Sequence, residues 1–255
     1  MGFPVACGGR ENGRYWVRIQ GVATYRYSVG EPEAWAIPSF GVSDDTVRDS
    51  FFRSVLPLFL HARGDEALHA SAVRGKRGVV AFCARSGTGK STIAYALGLR
   101  GYPVWADDAV ACTLSPGQVR ALPLPFRVRV SPASRRLLAG NRVVPFVRRE
   151  AQDIVCASSA PAPLAALCVL ERDEGRAEPR LAELRPPEAF AALLPHAYAF
   201  SLRDTARRQQ TVQHYLQLVE HVPVYALRFA GGREHLARVL DTLECQLGLQ
   251  APETE

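Results

Sequence analysis

The sequence predicts an α/β fold, and three observations support this fold class. A short apolar run at residues 78–82 is followed by a glycine-rich loop and then by a helical segment that ends at Gly101. Further strand-like and helical segments alternate through the rest of the chain, as they do in α/β proteins. Ahead of the loop, residues 1–43 alternate polar and apolar side chains, which is typical of antiparallel strands with one buried face.

The elements ahead of the loop follow from periodicity and turn residues. Residues 15–19 and 23–27 have strand character and flank a Gln-Gly turn, which predicts a hairpin or meander. Ser43 is a candidate N-cap, and apolar residues then recur at helical spacing to about residue 62. Residues 68–73 predict a strand that turns back into the strand ahead of the loop.

Behind the loop, short apolar runs predict strands and longer periodic runs predict helices. Two prolines remove backbone donors from residues 122–126, so this segment is neither a central strand nor a helix. The charged stretch 172–175 predicts a hairpin tip. The predicted elements are strands 103–106, 110–114, 164–171 and 222–229 and helices 92–100, 131–138, 187–194, 204–220 and 233–247.

Residues 84–92, Ala-Arg-Ser-Gly-Thr-Gly-Lys-Ser-Thr, predict a phosphate-binding loop. The strand before the loop and the helix after it are the context that this motif requires, although a Gly/Ser turn can match it by chance. Backbone N–H groups of such a loop point at phosphate oxygens. Lys90 is expected to reach the terminal phosphates of a nucleotide, and the Ser91 hydroxyl is expected to bind Mg²⁺. Only Lys76 and Lys90 are lysines among 31 basic residues, and a compact ammonium suits a place between phosphates better than the planar group of arginine.

Asp107 and Asp108 follow the next predicted strand, 16 residues beyond Ser91. The carboxyl ends of parallel strands line the ligand crevice of an α/β sheet. One carboxylate is expected to bind the metal, directly or through water, and the other to accept a proton from a hydroxyl nucleophile. Adjacent strand residues point to opposite faces, so the two acids should divide these roles. The alternative is that they cap the next element.

Other candidate residues have weaker local signals. His69 lies on the strand just upstream of the loop, where a lone histidine is more often a core or edge residue. The basic segment from Arg120 to Arg136 is either a contact for an acidic peptide or phosphate, or a solvated edge. Arg203, Arg207 and Arg208 are candidates for a clamp on the transition state, without a motif to choose among them.

Bulk properties limit the function classes. The chain has 255 residues, a net charge of +6 and a pI of about 9.2, which suits an anionic ligand or an acidic partner. No nucleic-acid motif and no basic–aromatic stripe appears in the sequence, so nucleic-acid binding is not expected. No run approaches the roughly 18 apolar residues of a membrane span, and the N-terminus does not resemble a signal peptide. Six cysteines without a C-x-x-C pair are expected to be buried thiols of a reduced, cytoplasmic protein.

Three of these motifs together resemble a known family. Leu-His-Ala-Ser-Ala-Val at 68–73, the loop at 84–92, and Gly-Tyr-Pro-Val-Trp-Ala-Asp-Asp at 101–108 resemble the catalytic domain of HPr serine kinase/phosphorylase. The order and separations of the motifs match that family, and the chain looks most like its stand-alone branch, the HPr-kinase-related proteins found beside ribosomal-peptide clusters, including lasso-peptide kinases. The well-matched stretch covers residues 66–115. The resemblance implies a P-loop kinase core of the HPr-kinase/phosphoenolpyruvate-carboxykinase type.

The resemblance also implies roles for particular residues. The implied cofactors are ATP and Mg²⁺, with Ser91 and Asp108 at the metal. The Asp pair would contain the proton acceptor for a substrate serine hydroxyl, with His69 orienting or supporting that carboxylate and Lys90 on the β/γ-phosphates. The residues that would bind the nucleotide are Arg85, Ser86, Gly87, Thr88, Gly89, Lys90, Ser91 and Thr92.

The sequence departs from the family at three points. Ala84 stands where the family has the first glycine of the loop. The acidic Glu-x-Arg-Gly signature is not found, and Glu171-Arg172 resembles it only superficially. The family's long regulatory N-terminal domain is not expected here, since about 65 residues precede His69. We therefore expect a small β-rich N-terminal extension over 1–65, a kinase-like domain over 66–249 and a disordered tail over 250–255.

Three functions remain open from the sequence. The first is an ATP-dependent kinase that phosphorylates a serine-type hydroxyl of a ribosomally made peptide or a small protein. The second is a small-molecule hydroxyl kinase, and the third is a nucleotide-binding regulatory or assembly protein with little turnover. A carboxylate base beside the loop favours the kinases, whereas Ala84 and the missing acidic signature favour the third. The expected partners are a nucleotide and a peptide or small protein, without nucleic acid or membrane, and a homo-oligomer would fit the family's tendency to form rings.

Overall fold

The computed structural model describes residues 6–127, 154–156, 158–199 and 205–250, and in these ranges the chain is a mixed α/β protein. Two sheets dominate it. A four-stranded antiparallel sheet is built from the N-terminal residues, and a larger mixed sheet is built from residues 66 to 229. The predicted α/β class is confirmed at this level, whereas the boundary at residue 65 stays a prediction.

The N-terminal sheet is a meander with one buried face. Its strands follow in chain order and are β1 (Ala6–Glu11), β2 (Arg14–Ile19), β3 (Ala23–Ser28) and β4 (Ala34–Pro38). Ile19 pairs with Ala23 across the turn, as the predicted hairpin requires. The inner face, which includes the buried Tyr25 and Tyr27, packs on a helical segment. That segment consists of α1 (Asp44–Ser50), a π-helical turn (Phe51–Val55) and α2 (Leu56–Arg63).

The ends of this helical segment are those that its sequence predicts. The Ser43 hydroxyl accepts a hydrogen bond from the Thr46 N–H at 3.3 Å, so Ser43 is the N-cap. Gly64 ends α2 with a φ of 109°, a left-handed conformation that favours glycine. The π-helical turn between the two helices is a local widening that is often found at functional sites.

The larger sheet contains nine strands within the described residues. The strands of this sheet and of a separate two-stranded ladder are β5 (Glu66–Leu68), β6 (Ala70–Gly75), β7 (Gly78–Cys83), β8 (Val104–Ala106), β9 (Val110–Ser115), β10 (Gln118–Leu122), β11 (Phe126–Arg127), β12 (Ile154–Val155), β13 (Ala162–Arg172), β14 (Arg180–Glu183) and β15 (Val224–Phe229). Seven strands of the larger sheet lie in the order β5-β9-β10-β13-β7-β6-β8, with β15 beside β13 and β14 beside β15. The ladder joins β11 to β12.

Helices cover both faces of the larger sheet. They are α3 (Lys90–Leu99), α4 (Pro186–Leu193) followed by a 3-10 turn (Leu194–His196), α5 (Thr205–His221) and α6 (Arg233–Gln246). One apolar core holds Leu193 of α4 and Leu218 of α5, and the other holds Leu97 of α3 and Leu243 of α6. The sheet is therefore the middle of three layers.

The strand directions bring one edge of the sheet together as a site. β13 and β15 run parallel to β7, so these three strands end at the same edge. β6 runs antiparallel to both β7 and β8, so β8 also ends there and β6 begins there. The residues after β7, β8 and β13 and the residue before β6 consequently lie close to one another.

Three expectations about the fold are wrong. Residues 172–175 are not a hairpin tip, because β13 is already flanked by β7 and β15 and the next strand, β14, pairs with β15 instead. The predicted strand 68–73 is broken at His69, whose N–H bonds to the carbonyl of His196 at 2.7 Å outside the ladder. Half of the cysteines are buried, whereas Cys7, Cys156 and Cys245 are exposed.

Some predicted features lie outside the described residues. These are the helix 131–138, the basic segment beyond Arg127, Arg203, and the tail beyond residue 250. Across the parts of the chain that the structure describes, no helix has both the length and the apolar character needed to cross a membrane.

Candidate active site

The glycine-rich loop joins β7 to α3, as the sequence predicts. Lys90 is the first residue of α3 and is only 6% exposed. Its ammonium donates a hydrogen bond to the carbonyl of Ala84 at 3.0 Å, which ties the start of the helix to the start of the loop. Burial lowers the pKa of Lys90, while the nearby carboxylates of Asp108 and Asp107 oppose that shift. The loop around it, from Arg85 to Gly87, is exposed.

The loop keeps its glycines where the backbone needs them. Gly87 and Gly89 have φ values of 83° and 120°, in a region that side chains with a Cβ rarely adopt. Ala84, which stands where the motif usually has glycine, is not among the described residues with positive φ. Its methyl group is buried in the core between the sheet and α3. The alanine therefore does not strain the loop.

Asp107 is the centre of a buried hydrogen-bond network. Its Oδ1 accepts hydrogen bonds from the hydroxyls of Ser91 and Ser71, both at 2.7 Å, and its Oδ2 accepts one from Tyr95 at 2.9 Å. Burial raises the pKa of Asp107, and the charge of Asp108 adds to that shift, whereas the three hydroxyl donors lower it. The network fixes the Ser91 hydroxyl at the start of α3 against a carboxylate.

His69 connects the loop lysine to the Asp pair. Its Nδ1 lies 2.9 Å from the carbonyl oxygen of Asp108, and its Nε2 lies 3.1 Å from the Lys90 ammonium. A carbonyl only accepts, so Nδ1 carries the proton and the Nε2 lone pair accepts from Lys90. Burial lowers the pKa of His69, and the charge of Lys90 lowers it further. Both the hydrogen-bond geometry and the lowered pKa of His69 indicate that its imidazole is neutral.

Asp108 differs from Asp107 in backbone, exposure and partner. Its φ of 68° makes it one of two described non-glycine residues with positive φ, and such strain is frequent at functional sites. Its Oδ2 lies 3.2 Å from Nε of Arg53, which belongs to the π-helical turn. Its side chain is 27% exposed and lines a small cleft with Phe52 and Phe126. Asp108 is thus the member of the pair that an incoming hydroxyl can reach.

A third strand end contributes Arg172. Its Nε donates to the carbonyl of Thr88 at 2.9 Å, and its guanidinium lies over the ring of Phe229, 4.6 Å from the centroid. A Cβ built on Gly89 would lie 3.4 Å from a terminal nitrogen of Arg172. This arginine therefore packs against the loop at the N-terminus of α3, where phosphate groups bind in such loops.

The structure brings most of the predicted site residues together, with one change in their pairing. His69, Lys90, Ser91 and the Asp pair lie in one connected network. The family resemblance implies Ser91 and Asp108 at the metal, but the Ser91 hydroxyl bonds to Asp107.

Two of the remaining basic candidates have partners outside the loop. Arg207 bonds to the buried Glu66 at 3.0 Å and so has a structural partner, while Arg208 is exposed. Arg127 pairs with Asp45 and Asp49 of α1.

Several residues of the site were not singled out from the sequence. Tyr95 lies four residues after Ser91, so helical periodicity alone would have put both on one face of α3. Ser71 lies two residues after His69 in the 68–73 motif, where nothing local marks it as a site residue. Arg53 carries no local signal, because only the folded chain brings it to the Asp pair. Arg172 has only the superficial signature match at Glu171-Arg172, which does not predict its contact with the loop.

Comparisons with known proteins add one structural likeness. No protein-family model matches the sequence, and a search of curated proteins found no relative. Among solved structures, the HPr(Ser) kinase/phosphatase from Coxiella burnetii is similar, with 13% identity, coverage of 71% of this chain and 97% of that chain, and a TM-score of 0.36. At this identity and TM-score, the likeness does not indicate which residues act or on what substrate.

Proposed function

We propose that this protein is an ATP-dependent phosphotransferase that transfers the γ-phosphoryl group to a serine-type hydroxyl of a peptide or small protein. The observation that carries the proposal is the connected network of Lys90, His69 and the Asp pair at the mouth of a phosphate-binding loop. Such a loop needs a lysine for the phosphates, a hydroxyl and carboxylate for the metal, and a base for the acceptor.

The residues present fit a magnesium ion. Mg²⁺ is usually bound by one or two carboxylates together with phosphate oxygens and water, and it neutralises charge on the phosphates when it is bound. The Ser91 hydroxyl and Asp107 Oδ1, which lie 2.7 Å apart, are the oxygen ligands that this chain would supply. The described residues contain no cluster of three or more His, Cys, Asp or Glu side chains that suits a metal, and a site shared with phosphates does not need one.

Asp108 is the proposed base. The hydroxyl of the acceptor would enter the cleft beside Asp108 and give its proton to that carboxylate. As the new bond to phosphorus forms, the bond to the departing ADP oxygen breaks. His69, held between Lys90 and the Asp108 carbonyl, would keep the lysine aimed at the phosphates and the Asp108 backbone in place.

A regulatory nucleotide-binding protein is the second candidate. The Arg53–Asp108 ion pair favours it, because one carboxylate oxygen of the proposed base already has a cationic partner. A protein that only switches conformation with ATP has no need of an accessible base. The two candidates differ in whether phosphate leaves ATP.

The test uses purified protein, Mg²⁺ and ATP labelled at the γ-phosphate. The acceptors are the peptides encoded beside its gene, with free serine as a small-molecule control. Transfer of label to a peptide hydroxyl, lost in Asp108→Asn, is the expected result. Transfer to free serine alone would point to a small-molecule kinase. Nucleotide binding with no transfer to any peptide and no stimulated turnover would overturn the kinase proposal.

A further inference from the structure

The outer face of the N-terminal sheet has an unusual composition for a solvent-facing surface. Alternate residues of β2, β3 and β4 point away from the helices that cover the inner face. On this outer face Trp35 is 64% exposed and Ile37 is 54% exposed. The remaining side chains of β2 and β3 on this face are mostly basic or aromatic, and they are Arg14, Trp16, Arg18, Thr24, Arg26 and Ser28.

The register of the strands aligns these side chains in rows. Trp16 pairs with Arg26, and Arg26 pairs with Trp35, so a cation lies between two indoles across three strands. Trp16 also lies over Gly9 of β1, where an added Cβ would come within 2.9 Å of its Nε1. This alternation of aromatic and basic groups runs across the sheet, and therefore no stretch of the linear sequence displays it.

The edge of the same sheet is open. β4 pairs only with β3 among the described residues, so its other side presents unpaired backbone N–H and C=O groups. A groove of about 680 Å³ runs beside β4, and Trp35 and Ile37 line it with charged groups of both signs, namely Arg14, Arg26, Glu31 and Glu33. Exposed strand edges of this kind bind extended peptides by adding a strand.

We propose that this edge and outer face bind an extended peptide that carries apolar and acidic side chains. The backbone of the peptide would pair with β4, its apolar side chains would contact Trp35 and Ile37, and acidic side chains on the same face would point toward Arg26 of β3. Nucleic acid is the less suitable occupant, because Glu31 and Glu33 in the same groove repel a continuous row of phosphates. Only the identification of this peptide with the phosphoryl acceptor depends on the proposed function.

The position of this sheet links it to the candidate active site. β4 leads directly into α1 and the π-helical turn, whose Arg53 contacts Asp108. Arg127 of β11, in the separate two-stranded ladder, lines the cleft beside Asp108 and pairs with Asp45 and Asp49 of α1 at 3.5 and 3.4 Å. A peptide bound at β4 is therefore held by the unit that also contacts the proposed base.

The experiment measures binding without ATP. The probe is a fluorescein-labelled peptide of Val-Thr-Glu-Thr repeats, in which valine and glutamate share one face of an extended strand, and its fluorescence anisotropy is followed at physiological salt. The variants are Trp35→Ser combined with Ile37→Ser, and Arg26→Glu. The matched controls are Leu216→Ser, an exposed apolar residue of α5, and Arg208→Glu on the same helix. Circular dichroism of every variant verifies that it is folded.

We expect both outer-face variants to weaken binding at least about tenfold, as loss of an interface tryptophan or arginine commonly does, and the two controls to leave it unchanged. A peptide with lysine in place of glutamate should bind the wild-type protein poorly and should bind Arg26→Glu better. Unchanged binding by the outer-face variants would overturn the inference. So would tighter binding of oligothymidine than of the peptide, or a wild-type dimer that the Trp35 and Ile37 changes dissociate.

This test separates the inference from the proposed function. Peptide binding at β4 with no phosphoryl transfer would support the inference and count against the kinase. Phosphoryl transfer that the outer-face variants leave unchanged in both KM and kcat, together with unchanged probe binding, would support the kinase and contradict the inference.

Discussion

Ala84 stands where a phosphate-binding loop usually has glycine, and its geometry explains why the loop is intact. The residue has no positive φ, and its methyl group is buried against the core. We expect Ala84→Gly to leave nucleotide affinity unchanged and to lower the free energy of unfolding by roughly 1 kcal/mol, through lost apolar contact and a more flexible unfolded chain. Calorimetric titration with ATP and urea unfolding measure the two quantities.

Gly87→Ala is the matched comparison within the same loop. Gly87 has a φ of 83°, so this substitution strains the backbone although it adds the same single methyl group. Nucleotide affinity should fall for Gly87→Ala and not for Ala84→Gly. A gain in affinity from Ala84→Gly would show that the missing glycine does impair the loop.

The two neighbouring aspartates should respond differently to the same substitution. Asp108→Asn removes the proposed base and should lower kcat by about 10²- to 10⁴-fold while ATP still binds. Asp107→Asn removes the charge that the hydroxyls of Ser91 and Ser71 contact, so it should also nearly abolish transfer and in addition weaken the Mg²⁺ dependence of ATP binding. If Asp108→Asn retained most activity, the base would have to be Asp107.

At the scale of elements, Arg172 couples the end of β13 to the loop between β7 and α3. Its Nε holds the Thr88 carbonyl, and its planar group lies on Phe229. Arg172→Ala should weaken ATP binding about tenfold by loosening the loop. Arg172→Lys should restore little, because lysine keeps the charge but offers neither the planar contact nor the Nε donor.

Hydrogen exchange distinguishes this role from a simple loss of charge. The amides of residues 86–89 should exchange faster in both Arg172 variants without nucleotide. Arg238→Ala, which removes an exposed ion pair with Glu178, is the control and should change neither exchange nor affinity. Unchanged exchange in the loop would mean that Arg172 does not order it.

Local elements were predictable from the sequence, and nonlocal pairings were not. The strand, loop and helix over 78–99 follow from composition within a few residues, and so does the N-cap at Ser43. The contact of Asp107 with Ser91 depends on where β8 pairs with β6, which no local pattern specifies. Likewise, the contact of Arg53 with Asp108 needs the N-terminal segment to fold back on the larger sheet.

At the scale of the whole molecule, a buried polar cluster joins the N-terminal segment to the larger sheet and to α5. Glu66 of β5 accepts hydrogen bonds from Arg207 at 3.0 Å and from His214 at 2.8 Å, both on α5. His61 of α2 lies 4.0 Å from the other carboxylate oxygen and 3.2 Å from Thr211. Burial raises the pKa of Glu66 to about 7 and lowers the pKa of His61 to about 4.

These two shifts have opposite effects on stability. Between pH 4.5 and 7 the unfolded Glu66 has lost its proton while the folded one keeps it, so its contribution to stability falls as pH rises. Between pH 6.5 and 4 His61 is protonated in the unfolded chain but neutral in the folded one, so its contribution to stability falls as the pH drops. Burial also lowers the pKa of His214, which acts in the same direction as His61. In the wild-type protein the contributions of Glu66 and of the two histidines to stability therefore largely cancel between pH 4.5 and 6.5.

Substituting Glu66 or His61 alone should therefore change the pH dependence of stability in opposite directions. Relative to the wild-type protein, Glu66→Gln should gain stability as the pH is raised from 4.5 to 7, and His61→Gln should gain stability as it is lowered from 6.5 to 4, each by up to about 3 kcal/mol. Urea unfolding at several pH values measures both, and the difference from wild type removes the contributions of all other groups. His221→Gln, an exposed histidine at the end of α5, should follow the wild-type curve. A Glu66→Gln difference that stays flat between pH 4.5 and 7 would mean that Arg207 and His214 hold Glu66 ionised over this range, and that the cluster joins the two parts of the molecule as an ion pair rather than with a protonated carboxyl group.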